Sequence, residues 1–150
     1  MTPRQIELVQ SSLNVIRPNL ESVAMTFYDR VFELDPIFRP MFRGPREDRA
    51  RKVAHVLTIV VQGLSRPQQI LGAVEELGRR HLAYGARPEH YAVFGAALLW
   101  TLQTTLGDAF TPDLRDAWAS AYLFLSSTMQ KAAANAEAVS VGWAPAPHQA

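Results

Sequence analysis

The chain has 150 residues, a net charge of +1 and 19% charged side chains. That is enough for one domain with a real core, and too little net charge for a broad nucleic-acid or anionic-membrane footprint. Cysteine is absent, which excludes disulfides, thiolate chemistry and zinc fingers and suits a reducing cytosol.

The opening "MTPRQIELVQ" lacks a signal peptide's layout, and no apolar run approaches a membrane span. The expectation is a soluble cytoplasmic protein that engages neither membrane nor nucleic acid. Arginines cluster between Arg39 and Arg51, but Glu47 and Asp48 interrupt them, as in a solvated loop and helix start.

Helical periodicity runs through the chain. Thr2 and Gln5 make a capping box with Pro3 at the first helical position, and this helix should end near Arg17-Pro18. Pro18 can open a second helix striped by Leu20, Val23, Ala24, Phe27, Tyr28, Val31 and Phe32. In "DPIFRPMFRGP" the prolines allow only a short helical turn before Phe42 and a loop at Gly44.

From Pro45 to Gly63 the stripe is Val53, Val56, Leu57, Val60 and Val61. The next helix begins at Ser65 or Arg66, carries Ile70, Leu71, Val74, Leu77, Gly78 and His81, and closes at Gly85. Pro88 opens a long helix with Tyr91, Phe94, Leu98, Leu99, Leu102 and Leu106, ended by Gly107. Thr111-Pro112 caps the last one, with Leu114, Trp118, Ala121, Tyr122, Leu125 and Met129.

Residues 1–133 form the expected domain. The Ala-, Pro- and Ser-rich 134–150 reads as a frayed end and disordered tail, in which Trp143 alone offers a docking side chain. No stretch reads as a strand. The class is all-α, with six or seven helices.

Four polar residues fall on apolar stripes: Tyr28, Arg49, His81 and Tyr91. On periodicity alone each has two readings. A stripe histidine is a satisfied core residue or a ligand, and a stripe tyrosine puts its ring in the core with its hydroxyl at the edge or at a site. Arg49 snorkels to water or reaches inward. GxGxxG, the P-loop, GxSxG and HExxH are all missing, and His55, His90 and His148 share no metal-ligand spacing with carboxylates, which argues against a hydrolase or zinc site.

The fragments "FYDRVF", "MFRGP", "RKVAHVL", "LGRRHLAYG", "EHYAVFG" and "DAWASAY" occur in an order and spacing that resembles a globin over residues 3 to 132. The likeness is to bacterial single-domain globins and the haem domain of flavohaemoglobins. It implies a globin fold enclosing haem b, with His81 as the proximal iron ligand. A neutral imidazole suits that role, and the Leu77 carbonyl one turn back is placed to fix its tautomer.

The resemblance further implies that Phe42 packs on the haem face and that Tyr28, Arg49 and Val53 surround the sixth coordination position. Leu77, Tyr91 and Leu98 would line the cofactor, with Tyr91 joining the proximal network. Arg51 or Lys52 would pair with a propionate or face solvent, and Arg79 and Arg80 likewise. Two departures stand out. Arg49 occupies a position that more often carries glutamine or histidine, and it can reach the ligand or a propionate but cannot coordinate iron. Ala133 replaces the flavohaemoglobin proximal glutamate, with Glu137 one turn later, so a peroxidase-like role is not expected.

The function implied is reversible binding of dioxygen, or of carbon monoxide or nitric oxide, for storage or delivery. A second reading is nitric oxide dioxygenation, for which a separate reductase would supply electrons. A third is a gas sensor or interaction module. Monomer and homodimer both stay open.

Overall fold

The computed structural model describes the backbone of residues 1–143 and the side chains of residues 1–138. Among the described residues six α-helices follow one another: α1 (Pro3–Ile16), α2 (Leu20–Leu34), α3 (Arg46–Gly63), α4 (Pro67–Ala83), α5 (His90–Leu106) and α6 (Pro112–Trp143). Short 3-10 turns lie at Arg17–Asn19, Pro36–Phe38 and Gly107–Ala109. There is no strand among the described residues, and no described helix is long and apolar enough to cross a membrane.

Local chemistry sets the boundaries. The Thr2 hydroxyl accepts the Gln5 N–H at 3.1 Å while the Gln5 amide oxygen accepts the Thr2 N–H at 3.0 Å, closing the capping box. Pro18 sits in a 3-10 turn, and α2 itself starts two residues later, at Leu20. Asp35 turns extended ahead of Pro36, which ends α2, and its carboxylate accepts the Ile37 N–H at 3.1 Å.

The end of α4 is a Schellman motif. Gly85 takes φ 101°, the Ala86 N–H donates to the His81 carbonyl at 2.9 Å, and the Gly85 N–H donates to Leu82 at 3.0 Å. The last helix differs from the sequence expectation. It continues past Ala133 to Trp143 where a frayed end was expected, because "AAANAEAV" is a run of good helix formers with no proline before Pro145. The Trp143 side chain and residues 144–150 lie outside the described part.

Two apolar clusters divide the interior. The first joins α1, α3, α5 and α6 through Val9, Leu13, Val61, Leu102 and Trp118, each at most 2% exposed. Its one indole is satisfied: Trp118 Nε1 donates to the buried Ser12 hydroxyl at 2.9 Å, which pins α1 to α6. The second cluster gathers Tyr28, Phe32, Phe38, Val74, Tyr91, Phe94 and Met129 from the other half of the bundle. It holds the buried tyrosines Tyr28 and Tyr91.

α4 lies against α6 at Gly78, where a Cβ would collide with the backbone of Met129. The missing side chain therefore fixes how closely the two helices approach, one turn before His81. Gly78→Ala should lower stability by about 1–3 kcal/mol despite alanine's better helix propensity. Urea unfolding checks this as a lower midpoint at unchanged slope; an unchanged or higher midpoint would show that the two helices part without cost.

Candidate functional site

A cavity of about 820 Å³ lies where the two clusters meet, walled by Ile16 at the end of α1, by α2, α3, α4, α5 and α6 and by the loop that carries Met41 and Phe42. Ten residues singled out in the sequence line it: Tyr28, Phe42, Arg49, Lys52, Val53, Leu77, Arg80, His81, Tyr91 and Leu98. Their helical phases bring them together from five separate stretches of chain.

His81 is half-buried, on the same face of α4 as Val74 and Leu77. Its Nδ1 lies 2.9 Å from the Leu77 carbonyl. A carbonyl only accepts, so Nδ1 must carry the proton. Burial holds the imidazole's pKa below its ordinary value, the Leu77 bond opposes this, and the Arg80 charge reinforces it. The ring is therefore neutral near pH 7. Nε2 keeps its lone pair and has no hydrogen-bond partner among the described residues. That is the arrangement of a metal-ligating histidine oriented by a backbone carbonyl.

Tyr28, on α2, is buried, and its ring meets Phe32 at 6.1 Å and the edge of Phe42 at 5.4 Å. Desolvation pushes its hydroxyl up to about 12, with the Arg49 charge pulling the other way. The hydroxyl remains protonated at physiological pH and has no partner among the described residues. It is a donor facing the cavity.

Arg49, near the start of α3, turns inward. One guanidinium nitrogen donates to the Phe42 carbonyl, and Cζ lies 5.3 Å from the Tyr28 ring centroid and 5.2 Å from that of Phe32. Its Nε is buried without a partner.

The mouth carries exposed cations. Lys52 and Arg80 line it as expected, joined by Arg43, which sequence reasoning did not single out. Arg80 lies 3.8 Å from Glu76, a loose and exposed pair. Arg51 does not belong here. One residue from Lys52 it is rotated about 100° round the helix, so it pairs with Asp48 at 3.0 Å and lines a separate surface groove.

One further expectation needs correction. The Tyr91 hydroxyl makes no hydrogen bond to His81; instead, the Tyr91 carbonyl accepts the Tyr122 hydroxyl at 2.6 Å, joining α5 to α6. Glu137 stands on a helical rather than a frayed segment, yet it is exposed and pairs with Arg87 at 3.4 Å, so it gives His81 no carboxylate. Phe94, Tyr122, Leu125 and Met129 also line the cavity. Each sat on an apolar stripe in the sequence, where nothing distinguished a cavity wall from solid core.

An all-α bundle with an apolar cavity between a neutral, carbonyl-oriented imidazole and a buried hydroxyl defines a helical cofactor-binding domain. The globin family profile matches residues 25–129. A flavohemoprotein of Bacillus subtilis is 30% identical over 122 residues, covering 79% of this chain and 31% of that protein. The chain thus spans about a third of the length of this relative.

A bacterial globin from Campylobacter jejuni superposes with a TM-score of 0.82 at 20% identity, covering 91% of this chain and 99% of the other. A flavohemoglobin from Malassezia yamatoensis, solved with bound FAD and haem, gives 0.77 at 22% identity over 91% of this chain and 37% of its own. The chain belongs to the globin family.

Tyr28 links the site to stability. Its raised pKa means that above the ordinary value of 10.0 the folded state holds a proton that the unfolded state has lost. Stability should therefore fall as pH rises from 10 toward 12, by up to about 1.4 kcal/mol per pH unit from this residue. Tyr122 and Tyr91 shift in the same direction and add to the slope. Urea midpoints of wild type and Tyr28→Phe at pH 9 and pH 11 test this: the variant should lose less, and parallel losses would contradict the burial of Tyr28.

Proposed function

We propose that the chain is a haem b protein that reversibly binds dioxygen and other diatomic gases. The observation that carries this reading is the His81 imidazole, neutral and fixed by Leu77, with Nε2 unpartnered on an apolar cavity that also holds the Tyr28 hydroxyl. The residues fit the group. The cavity wall is mostly aliphatic and aromatic, one nitrogen lone pair is available, and Arg43, Lys52 and Arg80 at the mouth suit carboxylate propionates.

When bound, the haem supplies an iron centre that takes a diatomic ligand and shifts electron density onto it. The chain's own part is to hold and tune. His81 Nε2 would hold the iron, and the Nδ1–H bond to Leu77 keeps the ring from rotating or changing tautomer. Tyr28 would donate a hydrogen bond to the ligand, and Val53 would limit the space beside it. The apolar wall excludes water, which would strengthen the Tyr28 bond.

Nitric oxide dioxygenation is the second reading. It requires a reductase partner to return the iron to its ferrous state. The same cavity and the same Tyr28 serve both readings.

Purified chain supplied with haemin should give a Soret band that moves when the reduced form meets carbon monoxide. In that preparation Tyr28→Phe should raise the dioxygen dissociation rate by roughly tenfold, the worth of one buried hydrogen bond. A missing Soret band would contradict the haem reading. An unchanged dissociation rate would remove Tyr28 from the ligand.

A further inference from the structure

The link between α4 and α5 is closed by a side chain that takes no part in the site above. Arg87 N–H donates to His90 Nδ1 at 2.9 Å, and His90 N–H donates back to the Arg87 carbonyl at 2.9 Å. Pro88 lies within this turn, and α5 starts at its last residue. The ring bond matches the return bond of a capping box, in which a side chain reaches back three residues to a backbone N–H. Glutamate or glutamine usually takes that part, and each still accepts near neutral pH. Histidine accepts only while neutral, because a protonated ring carries a donor on both nitrogens.

The charges around His90 are already engaged. Arg87 is paired with Glu137 of α6 at 3.4 Å, and Glu89 is exposed. On the turn before Phe38, Asp35 accepts the Ile37 N–H, and Arg39 lies over the Phe32 ring. Glu33 of α2 pairs with Arg30 at 3.6 Å, and Arg80 of α4 lies toward Glu76 at 3.8 Å. His90 itself makes no ion pair among the described residues. A proton on Nδ1 therefore sets two donors face to face, and the Arg87 bond is lost.

The ring also connects to the cavity wall. It is half-buried and stands edge-on to Phe38, with centroids 5.0 Å apart and planes at 88°. Phe38 is fully buried and meets Phe94 at 5.0 Å and Phe42 at 6.5 Å, and both of those line the cavity.

We propose that His90 is an acid-sensitive latch on the α4–α5 link: the neutral ring holds Arg87 N–H, and its protonation frees the link and the packing of Phe38. Histidine is the side chain whose charge changes between about pH 5 and 8, so the latch works over that range. Only the neutral ring accepts the bond, so the stability it supplies is present above the range and lost as pH falls through it. The latch lies outside the cavity lining and needs no bound haem.

NMR of the full chain from about pH 8 to about pH 5 tests this, with any haem held in its diamagnetic ferrous carbon monoxide form. In wild type the Arg87 amide and the Phe38 ring protons should shift with the same midpoint as the His90 ring. In His90→Gln, which keeps an acceptor that does not titrate, both should stay in place. At the acid end the wild-type Arg87 amide should exchange with water about fivefold faster than in the variant, the worth of one hydrogen bond. An Arg87 amide that ignores the His90 titration would overturn the proposal, and that wild-type result decides even where the variant does not fold. An equal shift in the variant would overturn it too, and a Phe38 ring that holds still would overturn the connection to the cavity wall.

Discussion

The site depends on one hydrogen bond, from His81 Nδ1 to the Leu77 carbonyl 2.9 Å away. It decides which ring nitrogen carries the proton, and so which nitrogen is left to bind a metal. Burial supplies the other half of the condition by keeping the imidazole neutral. The bond also ties the ring to a backbone held on both sides. Gly78 lets α4 settle against Met129 of α6, and after the helix Ala86 N–H takes the carbonyl of His81 itself. The histidine is thus fixed through its ring and through its main chain.

The interior divides the work of stability and function. The α1-facing cluster carries a single indole, satisfied by Ser12. The second cluster, with Ile16, Leu20, Ala54 and Leu102 of the first, surrounds a cavity, a loss of packing that costs stability unless a ligand fills it. Polar groups are tolerated there because each has a task or a compensation. His81 bonds to Leu77, Tyr122 bonds to the Tyr91 carbonyl, and Arg49 lies over two aromatic faces. The Tyr28 hydroxyl and the Arg49 Nε–H remain without partners, and both belong to the same side of the cavity.

Much of this was legible in the sequence because it is local. Caps at Thr2 and Gly85, the proline stops and the 3.6-residue stripes depend on near neighbours, and the helices follow them closely. The His81–Leu77 bond is one helical turn and so was readable as well. What was not legible lay between elements. The direction of Arg49 is set by the carbonyl of Phe42 and by two rings on α2, none of which its own helix encodes. Tyr122 looked like core because its partner is thirty-one positions away. Arg51 and Lys52 carry like charges side by side, and only the rotation of α3 against its neighbours decides which faces the mouth. The end of the last helix was misjudged for a different reason: an alanine-rich composition suits a helix as well as a tail.

The central claim is that His81 Nε2 would hold the iron of a bound haem. The most direct measurement is the ferrous absorption spectrum of haem-loaded His81→Gly with and without added imidazole. The account predicts loss of the wild-type spectrum in the variant and its return when imidazole enters the vacated space. A variant that keeps the wild-type ferrous spectrum without imidazole would contradict it, because some other group would then hold the iron.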